Sequence, residues 1–252
     1  MQPADMTRDA LESRYRLFRR LTVVLGAACA FLVVVVAGQL AMSGGDDPAP
    51  PAAGEETPSA EEGAAGYADS QVVRRDPEDP LAIGDVDAPI VLTEWTDLRC
   101  PFCAAFGRDT MPELVEEYVD EGLVRIEVHD VAFFGEQSED ASVAARAAGE
   151  QGRFFAYLDA VYEAAPSSGH PDLERDDLVA FAEEAGVPDI ARFEADLDDD
   201  ELRQAAQRST ATAQQLGVSS VPFFVLGDQA LSGAQPVEVF RQYLDEALEK
   251  AE

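Results

Sequence analysis

Apolar and polar positions fall into three regimes along the 252-residue chain. From Leu21 to Met42 the side chains are almost all apolar. That run matches the ~20 residues a helix needs to cross a bilayer and exceeds the ~7–15 of a signal-peptide core. Between residues 43 and 70 large apolar side chains nearly vanish; Gly, Pro, Ala, Ser and Glu remain, too little to bury a core. From residue 71 apolar positions return with regular spacing. Gln71–Arg74 reads as a short leading strand, and Ile90–Trp95, after the breaker Ala88-Pro89, as a buried one. A helix begins at Cys100 and runs through Met111, Leu114 and Tyr118 to Glu121-Gly122, with a kink expected at Met111-Pro112. Alternation over Leu123–Val131 predicts another strand. Helices follow from Ser138 to Gly149, over Phe154–Tyr162, Leu178–Ala185 and Ile190–Leu197, and from Ala205 to Leu216. Val221–Leu226 is a strand with a proline near its start, Gly227-Asp228 a hairpin turn, Ala230–Gly233 the return strand, and Pro236 opens a last amphipathic helix.

These regimes imply a tail over 1–20, a transmembrane signal-anchor helix over 21–42, a disordered acidic linker over 43–70 and a folded domain over 71–252. Arg8, Arg14, Arg16, Arg19 and Arg20 precede the apolar run, which places that end in the cytoplasm and the rest of the chain outside. Cleavage of the run as a signal peptide is the alternative, although no clean A-x-A site follows it. The order strand, helix, strand, helices, strand, hairpin, strand, helix has the pattern of an α/β, thioredoxin-like fold with a helical insertion at about 137–200.

Charge removes some functions. The chain has 50 acidic against 18 basic residues, a net charge of −32. Such a surface argues against nucleic acid and anionic lipid as partners of the soluble part.

Three cysteines leave little room for a disulfide framework. Cys29 lies within the apolar run, so only Cys100 and Cys103 can act together. The two histidines, His129 and His170, have no zinc-ligand spacing to them. Two thiols separated by two residues, at a strand-to-helix junction, make a redox centre when the helix N-terminus faces the first sulfur, because free N–H groups favour the thiolate. Cys100 is then the attacking sulfur and Cys103, one helical turn in, resolves the mixed disulfide. Pro101 fits the first turn. Glu94 shares a strand face with Ile90 and Leu92. Buried there it would have a raised pKa and could exchange a proton with Cys103 through a water; partly solvated at the strand end, it would not. Trp95, on the opposite face, packs in the core. His129 reads as a strand histidine, and the acidic run from Asp196 to Glu201 as solvated helix face.

Ala88-Pro89, Asp97-Leu98-Arg99-Cys100-Pro101-Phe102-Cys103, the helical insertion, and Gly217-Val218-Ser219-Ser220-Val221-Pro222-Phe223-Phe224 together resemble the DsbA-type thiol:disulfide oxidoreductases, in their membrane-anchored extracytoplasmic form of Gram-positive and especially actinobacterial type. The resemblance covers roughly residues 72–250. It implies a protein-disulfide oxidase for exported, unfolded proteins with free thiols, working as a monomer without a cofactor and re-oxidised by a quinone-linked membrane partner of the DsbB or VKOR type. It implies that Val221-Pro222 is the cis-proline loop beside Cys100, where the Val221 backbone pairs with an extended substrate. Phe102 replaces the histidine of the DsbA with such a residue between its cysteines, so strong oxidising power does not carry over. Arg99 either compensates or faces water. Phe133-Phe134 and Phe223-Phe224 could line a groove, with at least one of each pair in the core. A reductase or isomerase of the same fold, and a binding module or chaperone for unfolded chains, are the rival functions.

Overall fold

A computed structural model describes residues 72–251. The expected tail, transmembrane helix and linker lie outside the described residues, and so does Gln71. Among the described residues no helix is long and apolar enough to cross a membrane.

A five-stranded mixed sheet carries the fold. Its strands are β1 (Ala82–Ile83), β2 (Ile90–Thr96), β3 (Val124–Asp130), β4 (Phe223–Leu226) and β5 (Gln229–Ser232), in the spatial order β1-β3-β2-β4-β5. β2 is central, parallel to β3 and antiparallel to β4. All seven of its residues are buried, the polar Thr93, Glu94 and Thr96 included. Trp95, His129 and Phe223 are register neighbours on one face, where Trp95 stacks on His129 at 5.2 Å. Glu94, Val128 and Phe224 are neighbours on the other. That second face is covered by α1 (Pro101–Asp109) and the C-terminal helix α8 (Val237–Ala251), through rings of Phe106, Phe224 and Phe240 with centroids 4.6–5.1 Å apart.

The long helix expected from Cys100 to Gly122 is broken. α1 ends at Asp109, and α2 (Met111–Leu114) runs on into a π-helical turn, Val115–Val119. Pro112 supplies no N–H to the preceding turn, which accounts for the break lying beside it. Between β3 and β4 lie five helices: α3 (Glu136–Gly149), α4 (Phe154–Ala164), α5 (Arg175–Glu184), α6 (Ile190–Asp196) and α7 (Asp200–Gln215). Two expectations fail for the same reason, a carboxylate taking backbone N–H groups. Residues 72–74 form no strand; the Arg74 and Arg75 amides donate to the Glu127 carboxylate at 2.6 and 2.8 Å, and the leading strand is Ala82–Ile83 instead. Within the acidic run, Asp199 is no solvated face residue but the N-cap of α7, accepting from Glu201 and Leu202 and starting that helix five residues before Ala205.

α7 ends in a Schellman motif. Val218 N–H donates to Ala213 O at 2.9 Å and Gly217 N–H to Gln214 O at 3.1 Å, with Gly217 at φ +81°. The chain is thereby turned back toward Cys100 as the loop Ser219–Pro222.

Candidate active site

Cys100 is the N-cap of α1, with extended backbone, and α1 opens on Pro101. Its thiol donates to the Val221 carbonyl at 3.5 Å, and the Val221–Pro222 peptide bond is cis. The cis-proline loop expected from the resemblance therefore stands against the first sulfur. Both cysteines are free thiols. Cys100 is 3% exposed and reaches the surface only through an open groove of about 900 Å³, whereas Cys103 is fully buried.

The two thiols differ in electrostatic setting. Cys100 falls from its ordinary 9.0 to about 7. The Cys103 side chain is the main cause; the N–H groups of Cys103 and Phe102 add to it, while burial and the Asp97 charge oppose it. Cys103 is pushed well above its usual value, first by burial and then by Cys100. The helix N-terminus expected to favour a thiolate acts through those two amides.

Glu94 is buried between Val128 and Phe224 on the neighbouring strands, and burial raises its pKa from 4.5 to about 8 despite a hydrogen bond with Thr96. The partly solvated alternative for Glu94 is not what is seen. Arg99 is engaged with backbone carbonyls. Its side chain is 11% exposed, so it does not face water. Its guanidinium donates to Pro171 O at 2.7 Å and Phe134 O at 2.8 Å, and the largest influences on Cys100 come from Cys103, burial, Phe102 and Asp97. Arg99 fastens the loop between α4 and α5 to the start of α1.

The groove runs past Cys100, Pro101, Phe102 and Val221, with Phe133 and Phe134 on its far wall. Phe102 is 64% exposed, an apolar ring held in solvent next to the redox pair. Phe133 and Phe134 are both partly buried and packed against the core while lining the groove. Phe223 does not line the groove: strand alternation turns it onto the Trp95 ring, 5.8 Å away, and sends Phe224 into the core.

Four residues of the site were given no part in it by the sequence. Asp97 is fully buried, and its carboxylate accepts from the Arg99 and Phe133 amides and the Ser138 hydroxyl at 2.8–3.0 Å, joining the Cys100 turn to the groove wall and α3. Thr96 bonds the Tyr162 hydroxyl at 2.7 Å beneath Cys103. His170 stacks on Phe134 at 3.8 Å and bonds Arg99 O at 3.0 Å on the groove rim. Only Asp97, beside the cysteine motif, lay where a local signal could have drawn attention to it.

A model of the thioredoxin family, described as "Thioredoxin", matches residues 76–246. Over 145 residues the chain is 27% identical to the "Probable disulfide bond formation protein D" of Bacillus cereus, covering 56% of this chain and 67% of that one. A 159-residue match at 30% identity covers 63% of this chain but 24% of a Na(+)/H(+) antiporter NhaA of Herminiimonas arsenicoxydans, so the two share one segment. Among solved structures, oxidised BdbD from Bacillus subtilis aligns with a TM-score of 0.63 at 19% identity, over 68% of this chain and 94% of that chain, a likeness of fold. The sheet order, the cysteine pair at the head of α1 and the facing cis-proline loop agree with that match. The chain belongs to the thioredoxin family, as a DsbA-like thiol:disulfide oxidoreductase.

Proposed function

We propose that the protein is an extracytoplasmic protein-disulfide oxidase, anchored in the cell membrane through residues 21–42. The observation that carries this reading is the division of labour between the thiols: Cys100 at about 7, on an apolar groove beside Val221, and Cys103 buried and pushed up. A substrate thiolate attacks the Cys100 sulfur of the Cys100–Cys103 disulfide. That bond breaks, and its electron pair leaves on Cys103, which takes up a proton. A second substrate thiolate then attacks the substrate sulfur of the mixed disulfide and expels Cys100 as a thiolate, a ready leaving group at its lowered pKa. The substrate gains a disulfide and the protein two electrons, held as a dithiol with no cofactor. A quinone-linked membrane partner of the DsbB or VKOR type removes them.

Each site residue has a place in this cycle. Glu94 supplies and recovers the Cys103 proton. Val221 and Pro222 present backbone to an extended substrate, and Phe102, Phe133 and Phe134 meet its apolar side chains. Placement outside the membrane is supported by the arginines before the apolar run. One observation favours a second reading, a reductase of the same fold: a Cys100 pKa of about 7 resembles thioredoxin's, ~7, more than DsbA's, ~3.5.

Equilibrating the purified full chain with glutathione separates the two. A reduction potential near or above roughly −180 mV, the value of protein disulfide isomerase, supports the oxidase. A potential near thioredoxin's roughly −270 mV overturns it in favour of the reductase.

A further inference from the structure

One carboxyl and two hydroxyl groups meet the buried thiol of the redox pair. β2 alternates, so Glu94 and Thr96 point to the same face, the one covered by α1. Both are buried, as are Cys103 and Tyr162. Tyr162 comes from α4, in the helical insertion, and reaches this pocket because Gly107 of α1 leaves room: a Cβ at Gly107 would lie 2.5 Å from the Tyr162 ring. Its hydroxyl meets Thr96 Oγ1 at 2.7 Å. The Thr96 hydroxyl also interacts with the Glu94 carboxyl and with the Cys103 sulfur.

We infer that Thr96 is a catalytic proton relay between Glu94 and Cys103, held in place by the Tyr162 hydroxyl. This rests on the proposed role of Glu94 and replaces the water expected from the sequence. A hydroxyl carries one hydrogen and two lone pairs. With Tyr162 donating to one lone pair, the Thr96 hydrogen is left for one neighbour and the second lone pair for the other. When the Cys100–Cys103 bond breaks, the electron pair on Cys103 takes the Thr96 hydrogen as Thr96 Oγ1 takes the Glu94 proton. Glu94 ends as a carboxylate, Cys103 as a thiol and Thr96 unchanged. Re-oxidation runs the same path backwards. The charged and titratable groups facing this pocket are Glu94 and Asp97 beside β2, Cys100 and Cys103 from α1, and Tyr162 from α4. Burial holds the Tyr162 phenol far above its ordinary value, so it stays protonated and keeps a hydrogen to donate to Thr96.

The test follows reduction of the oxidised full chain by a cysteine-containing peptide, from pH 5 to 9, by acid quench and mass analysis. Thr96→Val should slow it at least about tenfold near pH 7, less than the roughly 10²–10⁴-fold of a full general acid–base group because water can partly replace the relay. Thr96→Ser should stay close to wild type. Tyr162→Phe should slow it less and alter the pH profile, a change that loose packing alone would not produce. Thermal melts of each variant check that it is folded. Normal rates for both Thr96→Val and Tyr162→Phe alongside a slow Glu94→Gln overturn the relay and return the proton to water. Normal rates for Glu94→Gln as well overturn the role of Glu94 beneath it.

Discussion

The chemistry turns on a few side chains whose ordinary pKa values are displaced in opposite directions. Cys100 is lowered to about 7 and is ionised above it, so its alkylation by iodoacetamide should fall about tenfold per pH unit below 7 and level off above 8. Arg99→Ala should leave that midpoint in place, since the guanidinium is engaged with two carbonyls. A midpoint near 9 in either protein would contradict the geometry. Glu94 is displaced the other way. Its folded-state pKa, about 8, lies above the 4.5 of the free group, so the fold is unpenalised below pH 4.5 and loses stability as pH rises toward 8. Glu94→Gln removes that loss, on the order of 5 kcal/mol at full ionisation. It should melt several degrees above wild type at pH 8 and level with it at pH 4. A variant no more stable at pH 8 would mean that Glu94 is not desolvated. The burial of Glu94 was legible from strand alternation. The Thr96–Tyr162 contact was not, because 66 residues separate the partners and neither stands out in its own segment.

At the scale of elements, the site is a junction of β2, the start of α1, side chains from α3 and α4, and the loops around them. α1 lies against α4 closely enough that Gly107 has no space for a side chain. Gly→Ala in a helix interior ordinarily adds ~0.5–1 kcal/mol of stability. Gly107→Ala should instead cost ~1–3 kcal/mol by overpacking, read as a lower urea midpoint at unchanged slope. A stabilised variant would show that Tyr162 is free to move aside. Most elements were legible because their apolar spacing is set locally: β2, β3, α4 and the β4–β5 hairpin fall within a residue or two of expectation. Starts of elements were harder. α7 begins at Asp200 because Asp199 caps it, and an acidic run by itself does not say which carboxylate turns inward. Residues 72–74 are β-prone, but Glu127, more than fifty positions away, takes the amides of Arg74 and Arg75.

For the whole molecule, a net charge of −32 makes self-repulsion a standing cost of the compact state. Added salt screens it, with a Debye length of ~10 Å at 0.1 M and ~3 Å at 1 M. The melting temperature of the full chain should rise between those concentrations of sodium chloride. A flat or falling curve would mean that ion pairs such as the Arg241 bridges to Glu113 and Glu117 outweigh the repulsion. The insertion is bound to the redox centre through Arg99 and the α4–α5 loop, through Asp97 and Ser138 of α3, and through Tyr162 and Thr96. The helices that build the groove therefore also reach the buried sulfur.

By itself the sequence determined the α/β order, the position of the cysteine pair at a strand-to-helix junction and the proline strand that returns to it. These follow from local spacing, turn residues and motif order. Only the tertiary structure decided what surrounds each sulfur: that Arg99 is drawn to carbonyls rather than to the thiolate, that Phe223 turns onto Trp95 rather than into the groove, and that Tyr162 meets Thr96. Each depends on which distant segment reaches a given face first and satisfies its polar atoms, and local spacing carries no record of that.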